Sequence, residues 1–205
     1  KRIDFNIVKK GYKASAIPGS VAGLLDAHTA FGKLPLEEIL EPVIRQAKEG
    51  IIVSYDLNKA IESSSQLAED PESKRIYFED NKPIKVGSLM KRPDLANTFS
   101  IISQQGSKGF YEGEIAEKFI KAMEANDGFF TLDDFKNYET AIKSPIVGSY
   151  RNNLVFTAGP PSGGGVVLLT ALNVLSFFDL SNIGSNSAKT YHLLAESLRR
   201  GHNNR

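Results

Sequence analysis

Apart from a short β-like run at Ile3 to Val8, apolar residues recur at helical spacing through most of the chain and switch mainly to strand-like patterning in its last third. After Ile17-Pro18-Gly19-Ser20, the residues Val21, Leu24, Leu25, His28 and Phe31 follow a 3.6-residue period. This predicts a helix entered through a turn, with Ser20 as N-cap and Gly32 as a left-handed C-terminal cap. A second stripe, Leu36, Ile39, Leu40, Val43, Ile44 and Ala47, opens at Pro35 and stops before Gly50. Pro42 inside it leaves two readings open, one kinked helix or two short helices joined at Glu41. Ser54 is placed to cap a third helix through about Gln66, and residues 68–81 read as an exposed loop containing a brief strand. Leu95, Phe99 and Ile102 predict a helix over 92–105, closed by Gly106 and Gly109, and Ile115, Ala116, Phe119, Ile120 and Met123 predict another, ending near Asp127-Gly128. Thr131-Leu132-Asp133-Asp134 has the form of a capping box opening a single turn through Tyr138.

Then the period changes. Residues 142–147 and 150–156 are rich in β-branched and aromatic residues, with Asn152-Asn153 as the expected hairpin turn. The run Gly159-Pro160-Pro161-Ser162-Gly163-Gly164-Gly165 breaks the chain before residues 166–178, apolar on nearly every side and therefore expected as a helix buried all round. A loop over 179–187 precedes a final helical pattern from Ser187 to Arg205. The pattern describes one partial domain over 1–205, helical over 18–138 and strand-turn-helix over 140–205. Its strands are expected to need partners from outside this chain.

Composition narrows the function classes. The 25 Lys and Arg nearly cancel the 24 Asp and Glu, leaving a net charge of +1, so the basic face that nucleic-acid binding requires is not expected. With 41% hydrophobic and 24% charged residues the chain has the balance of a globular protein. Cys is absent, which removes disulfides, Cys-ligated metals and a thiol nucleophile. The longest apolar run, Val166 to Leu175, falls short of the roughly 20 residues that cross a bilayer. The chain begins at Lys1 without a leader-like segment, and its last helical pattern runs to Arg205 without a stop signal, so a piece of a longer protein is expected and no compartment is assigned.

The glycine-rich run invites a phosphate or oxyanion role but misses each template. A P-loop starting at Gly159 shows Gly165-Val166 where Lys and Ser or Thr belong; a dinucleotide fingerprint starting at Gly163 has Leu168 at its third glycine; a nucleophile elbow around Ser162 has Pro160 at its first. A tight turn delivering a strand into a helix, with Gly chosen for close backbone packing, is the favoured reading. His28, His192 and His202 are too scattered for a metal-ligand spacing, and the pairs Asp133-Asp134 and Glu37-Glu38 point in different directions on their helices. No catalytic or metal-ligating residue is assigned from the residues alone, and a non-catalytic helical interaction domain stays open.

Several segments in order resemble the large subunit of the gamma-glutamyltranspeptidase family: Ile17 to Leu24 its P-G-[ST]-V-A-G helix opening, Leu34-Pro35 through Pro42 to Gly50 its next helix, and Gly109 to Ala116 its F-Y-x-G-x-[IV]-A element. Thr131 to Phe135 with Tyr138, then Pro145-Ile146, Gly148 to Arg151 and Pro160 to Gly164, continue the likeness. The resemblance implies an α+β fold, the mostly helical large-subunit portion of an αββα N-terminal-nucleophile hydrolase. It implies a self-cleaving precursor whose small subunit exposes an N-terminal Thr that attacks a gamma-glutamyl amide such as glutathione, with its own amine as base and no metal or organic cofactor. The partners so implied are that small subunit and a gamma-glutamyl substrate, and the nucleophile falls outside this chain, which alone would be inactive. The family's substrate-binding Arg, in a D-[FY]-R-E-x-A-P motif, corresponds to Asn6 after Asp4-Phe5. Asn lacks the guanidinium that clamps an α-carboxylate. Either residues are absent between Phe5 and Asn6, or the acyl specificity differs, as in a cephalosporin acylase-like or poly-gamma-glutamate-processing relative.

Overall fold

The computed structural model describes residues 9–203. The chain divides into two compact units, the first ending at Thr140 and the second beginning at Ala141.

In the first unit, α1 (Ser20–Phe31), α2 (Leu36–Glu49) and α6 (Pro93–Tyr111) form a helical layer extended by α7 (Glu114–Ala125) and the short α8 (Leu132–Lys136). Ser20 is the first helical residue of α1 rather than its cap, a position taken by Gly19. At the other end Gly32 is extended (φ −66°, ψ 145°), not left-handed, and its N–H donates to His28 O at 2.7 Å. Of the two readings of α2, the structure takes the single helix with Pro42 inside it. Its proline lies on an exposed side, where water can satisfy the carbonyl that lost its partner.

Ser54 does cap a helix, α3 (Tyr55–Ser63), its Oγ accepting from Leu57 N at 3.1 Å, but the chain breaks at Ser64 and restarts as α4 (Ser65–Glu69). The expected loop over 68–81 contains α5 (Pro71–Tyr77), capped by Asp70, whose carboxylate accepts from Ser73 N at 2.8 Å. Asp before Pro at the first helical position is a start signal, which the short apolar content of the segment masked. Two-residue strands pair β1 (Ile51–Ile52) with β4 (Leu89–Met90) and β2 (Phe78–Glu79) with β3 (Lys82–Pro83), so strands are not confined to the last third. They close a small core of Val53, Ile61, Ile84 and Met90.

Helix α6 continues past its expected end. Gly106 takes φ 60°, ψ −141°, a conformation open to glycine, and the chain resumes helically through Tyr111. This kink places Phe110 and Tyr111 in the main core of the unit, around Phe135, which is 0% exposed. Phe110, Tyr111, Phe119 and Phe130 all lie with ring centroids 5.3–5.9 Å from Phe135. The capping box holds as expected: Thr131 Oγ1 accepts from Asp134 N, and the Asp134 carboxylate accepts from Thr131 N at 2.8 Å.

In the second unit, β5 (Ile146–Tyr150) and β6 (Asn153–Thr157) form an antiparallel hairpin with Val147 opposite Phe156. The turn is Arg151-Asn152, both left-handed (φ 47° and 66°), one residue earlier than expected, because Asn153 pairs with Tyr150. Residues 141–145 stay outside the ladder, where Pro145 has no N–H to donate. Helix α9 (Gly164–Leu175) packs beside α10 (Ala188–Asn203), with a 3-10 turn, Leu180–Asn182, between them. The expectation of a helix buried all round is corrected. Gly165, Val167, Ala171 and Leu175 are buried, whereas Leu168 is 44% exposed. Among the described residues α10 and β5 cover one side only, and hydrophobicity alone cannot tell how many sides of an apolar helix receive a neighbour.

Candidate functional site

The glycine-rich segment is a strand-to-helix turn. β6 ends at Thr157, Ser162 N donates to Gly159 O at 3.1 Å, the Pro160–Pro161 peptide is cis, and α9 starts at Gly164 without a side-chain cap. A Cβ on Gly165 would stand 2.5 Å from Thr157 Oγ1 and closer still to Ala158 O. Only glycine fits, and for the packing reason the sequence suggested. Beside the turn lies an open cleft of about 530 Å³, with Lys143, Pro145, Phe156, Thr157 and Ser162 among its walls. Among the described residues no carboxylate or imidazole lines it, and Lys143 is its one charged side chain.

The hairpin presents two unlike faces. Toward α9, Gly148 sits so close to Leu169 that a Cβ would approach Cδ2 to 2.6 Å. On the opposite face Val147, Leu154 and Phe156 are 50%, 68% and 63% exposed, and the cross-strand register puts Val147 and Phe156 side by side. A two-stranded sheet also leaves its outer edges unpaired among the described residues. Such a surface is suited to further strands rather than to water.

In the first unit, one tyrosine organises the helix opening at Pro18-Gly19-Ser20. The Tyr111 hydroxyl donates to Pro18 O and accepts from Ala22 N at 3.1 Å, while its ring stacks on Tyr138 at 5.8 Å and 7°. Burial pushes the Tyr111 phenol above its ordinary 10.0, partly opposed by the Ala22 N–H. The Tyr138 hydroxyl occupies the space a Gly19 side chain would need, and Thr140 Oγ1 donates to Asp26 on α1. Sequence periodicity could not find this anchor, because Tyr111 and Ala22 are 89 positions apart.

The histidines stay separate. His28 Nε2 hydrogen-bonds Leu34 O at 2.8 Å, while His192 and His202 lie on α10. Among the described residues no three His, Asp or Glu side chains converge on a metal-sized site, and no helix is long and apolar enough to cross a membrane. Asp134 is consumed by its capping box, whose Thr131 N–H and hydroxyl hold the carboxyl below its usual range. Asn6 and the β-like run of Ile3 to Val8 around it lie outside the described residues.

A helical first unit and an open strand pair backed by helices define an α+β chain. The sequence pattern of the gamma-glutamyltranspeptidase family matches residues 2–205, and the chain belongs to that family, which is one of N-terminal-nucleophile hydrolases. It is 33% identical over 186 residues to the glutathione hydrolase proenzyme of Escherichia coli strain K12, covering 90% of this chain and 32% of that protein. It is 34% identical over 190 residues to the acylase ACY 1 proenzyme of Pseudomonas sp. strain SE83, covering 92% and 34%. The crystal structure of Helicobacter pylori gamma-glutamyltranspeptidase superposes with a TM-score of 0.89 at 32% identity, over 96% of this chain and 57% of that one. The chain thus spans about a third of the length of the curated relatives it matches.

Proposed function

We propose that residues 1–205 form the large-subunit portion of an enzyme that cleaves gamma-glutamyl amides, such as glutathione, through an acyl-enzyme on an N-terminal Thr outside this chain. The observation that carries the reading is the family match over 2–205 together with the superposition on the H. pylori enzyme at a TM-score of 0.89. In this reading the catalytic Thr attacks the gamma-glutamyl carbonyl, its α-amine takes the proton, the amine product leaves, and water or an amino-acid acceptor resolves the ester. The contribution of this chain is scaffolding. The exposed Val147, Leu154 and Phe156 face receives strands of the small subunit, and the chain alone turns over no substrate.

The test is to express the complete gene and follow self-cleavage into two subunits together with release of a chromogenic amine from a gamma-glutamyl anilide. Precursor that stays intact and releases nothing would refute the proposal. A second reading, an acylase for a different acyl group, is favoured by the 34% identity to acylase ACY 1 and by Asn6 at the family's Arg position. Without a guanidinium there, binding of an amino-acid α-carboxylate loses its charge partner. Turnover of glutaryl amides above gamma-glutamyl amides decides for it, and the reverse order decides against it.

A further inference from the structure

Residues 141–145, at the start of the second unit, carry a backbone that no secondary structure claims. Among the described residues none of their N–H or C=O groups takes part in a backbone hydrogen bond, and all of them are exposed. The sequence explains why. Pro145 has no N–H for a ladder and biases Ser144 toward extended backbone, so the pairing of β5 with β6 starts only at Ile146. Ala141, Lys143, Ser144 and Pro145 line the cleft beside the glycine-rich turn, whereas Ile142 does not. Its side chain is 98% exposed, more than any other large apolar side chain of the described residues.

An endoprotease draws its substrate in as an extended strand and hydrogen-bonds the strand's backbone. A folded chain is therefore cut where that backbone is unclaimed and a recognised side chain stands free. The other large apolar side chains more than two-thirds exposed each fail the first condition. Leu24 and Phe31 are inside α1, Leu154 is inside β6, and Phe177 N donates to Val174 O at 3.3 Å. Phe129 lies between Gly128, whose N–H donates to Met123 O at 2.8 Å, and Phe130, which packs against the Phe135 core. At Ile142 the two conditions coincide.

We propose that the Ala141–Ile142 bond is a site of proteolytic modification, cut in the native protein by endoproteases that read an apolar side chain on the leaving-amine side. Water adds across the amide and leaves a carboxylate on Ala141 and an ammonium on Ile142. The test treats the full-length protein, as its gene encodes it, with a trace of thermolysin under native conditions and reads new termini by mass spectrometry. A synthetic peptide of residues 138–147 gives the unhindered rate. The first new N-terminus within residues 9–203 is expected at Ile142, at a rate within about tenfold of the peptide's. A bond reached only through global unfolding would be cut at least roughly 10³-fold more slowly, in proportion to the open population. Ile142→Asp, which disturbs no buried side chain, should slow the cut by about tenfold or more in protein and peptide alike, since an apolar pocket rejects the charge. Self-cleavage that exposes a Thr outside this chain leaves no terminus at Ile142, so the two events are read separately. A first cut at another bond within those residues, a rate more than about tenfold below the peptide's, or an unchanged rate in Ile142→Asp would overturn the proposal.

Discussion

Replacing Tyr111 with Phe removes one oxygen and keeps the ring that packs on Phe110, Phe135 and Tyr138. That oxygen serves two backbone groups. It accepts from Ala22 N, one of the first-turn amides of α1 that no helical carbonyl can reach, and donates to Pro18 O. Ala22 is buried, 6% exposed, so water does not replace the lost acceptor. Leaving one buried donor unsatisfied costs about 1–3 kcal/mol, and a figure near 2 corresponds to roughly a 30-fold shift in the folding equilibrium. Urea unfolding of the full-length protein, followed by tyrosine fluorescence, should show that loss with an unchanged slope. Hydrogen exchange should localise it, with the Ala22 amide accelerating more than amides of α2. The phenol adds a pH signature. Its pKa is raised by burial, so the folded state holds its proton more tightly than the unfolded state does. The associated stability is complete below the unfolded value near 10.0 and is lost as pH rises through the folded value. Wild type should therefore lose stability above about pH 10 more steeply than Tyr111→Phe. A cost below about 0.5 kcal/mol, the ordinary scatter of surface substitutions, together with identical alkaline profiles would refute the anchoring role.

Phe135→Ala empties the centre of the aromatic cluster and should cost about 3–5 kcal/mol in the same unfolding assay. Gly201→Ala brings a Cβ to 2.7 Å from Val167 O, a backbone atom that cannot swing aside. Its expected cost is about 1–3 kcal/mol, with loss of amide protection along α9 and α10. On the function proposed above, Phe156→Asp, which places charge on the open hairpin face, should keep the two cleavage products of the complete gene from co-purifying.

The helices were legible wherever an apolar stripe met a cap. Ser54, Thr131 and the stripe of α7 sufficed, since each acts within a few residues. Asp70-Pro71 was equally local, yet the segment behind it is too polar for periodicity to register. The Gly106 kink hid because a glycine that ends a helix and one that bends it look alike until the downstream residues, here Phe110 and Tyr111, find a core. The hairpin register turned on which Asn tolerates a positive φ, and Asn152 took that place with Arg151 rather than with Asn153. The glycine-rich turn was readable as packing because its spacing excluded the phosphate templates. The Tyr111 anchor was not readable at all, since a contact across 89 positions leaves no periodic trace.

Gly19 and Tyr138 constrain each other in a way that neither shows alone. The phenol oxygen fills the volume of the missing side chain, so the glycine is kept small by a residue 119 positions later, 138 − 19. Among family members the two should drift together. Lineages that shorten the aromatic residue gain freedom at the glycine, and those that keep it inherit a helix opening that tolerates no side chain. A motif read as a property of six consecutive residues is then half of a pair, and its strictness is set from elsewhere in the chain.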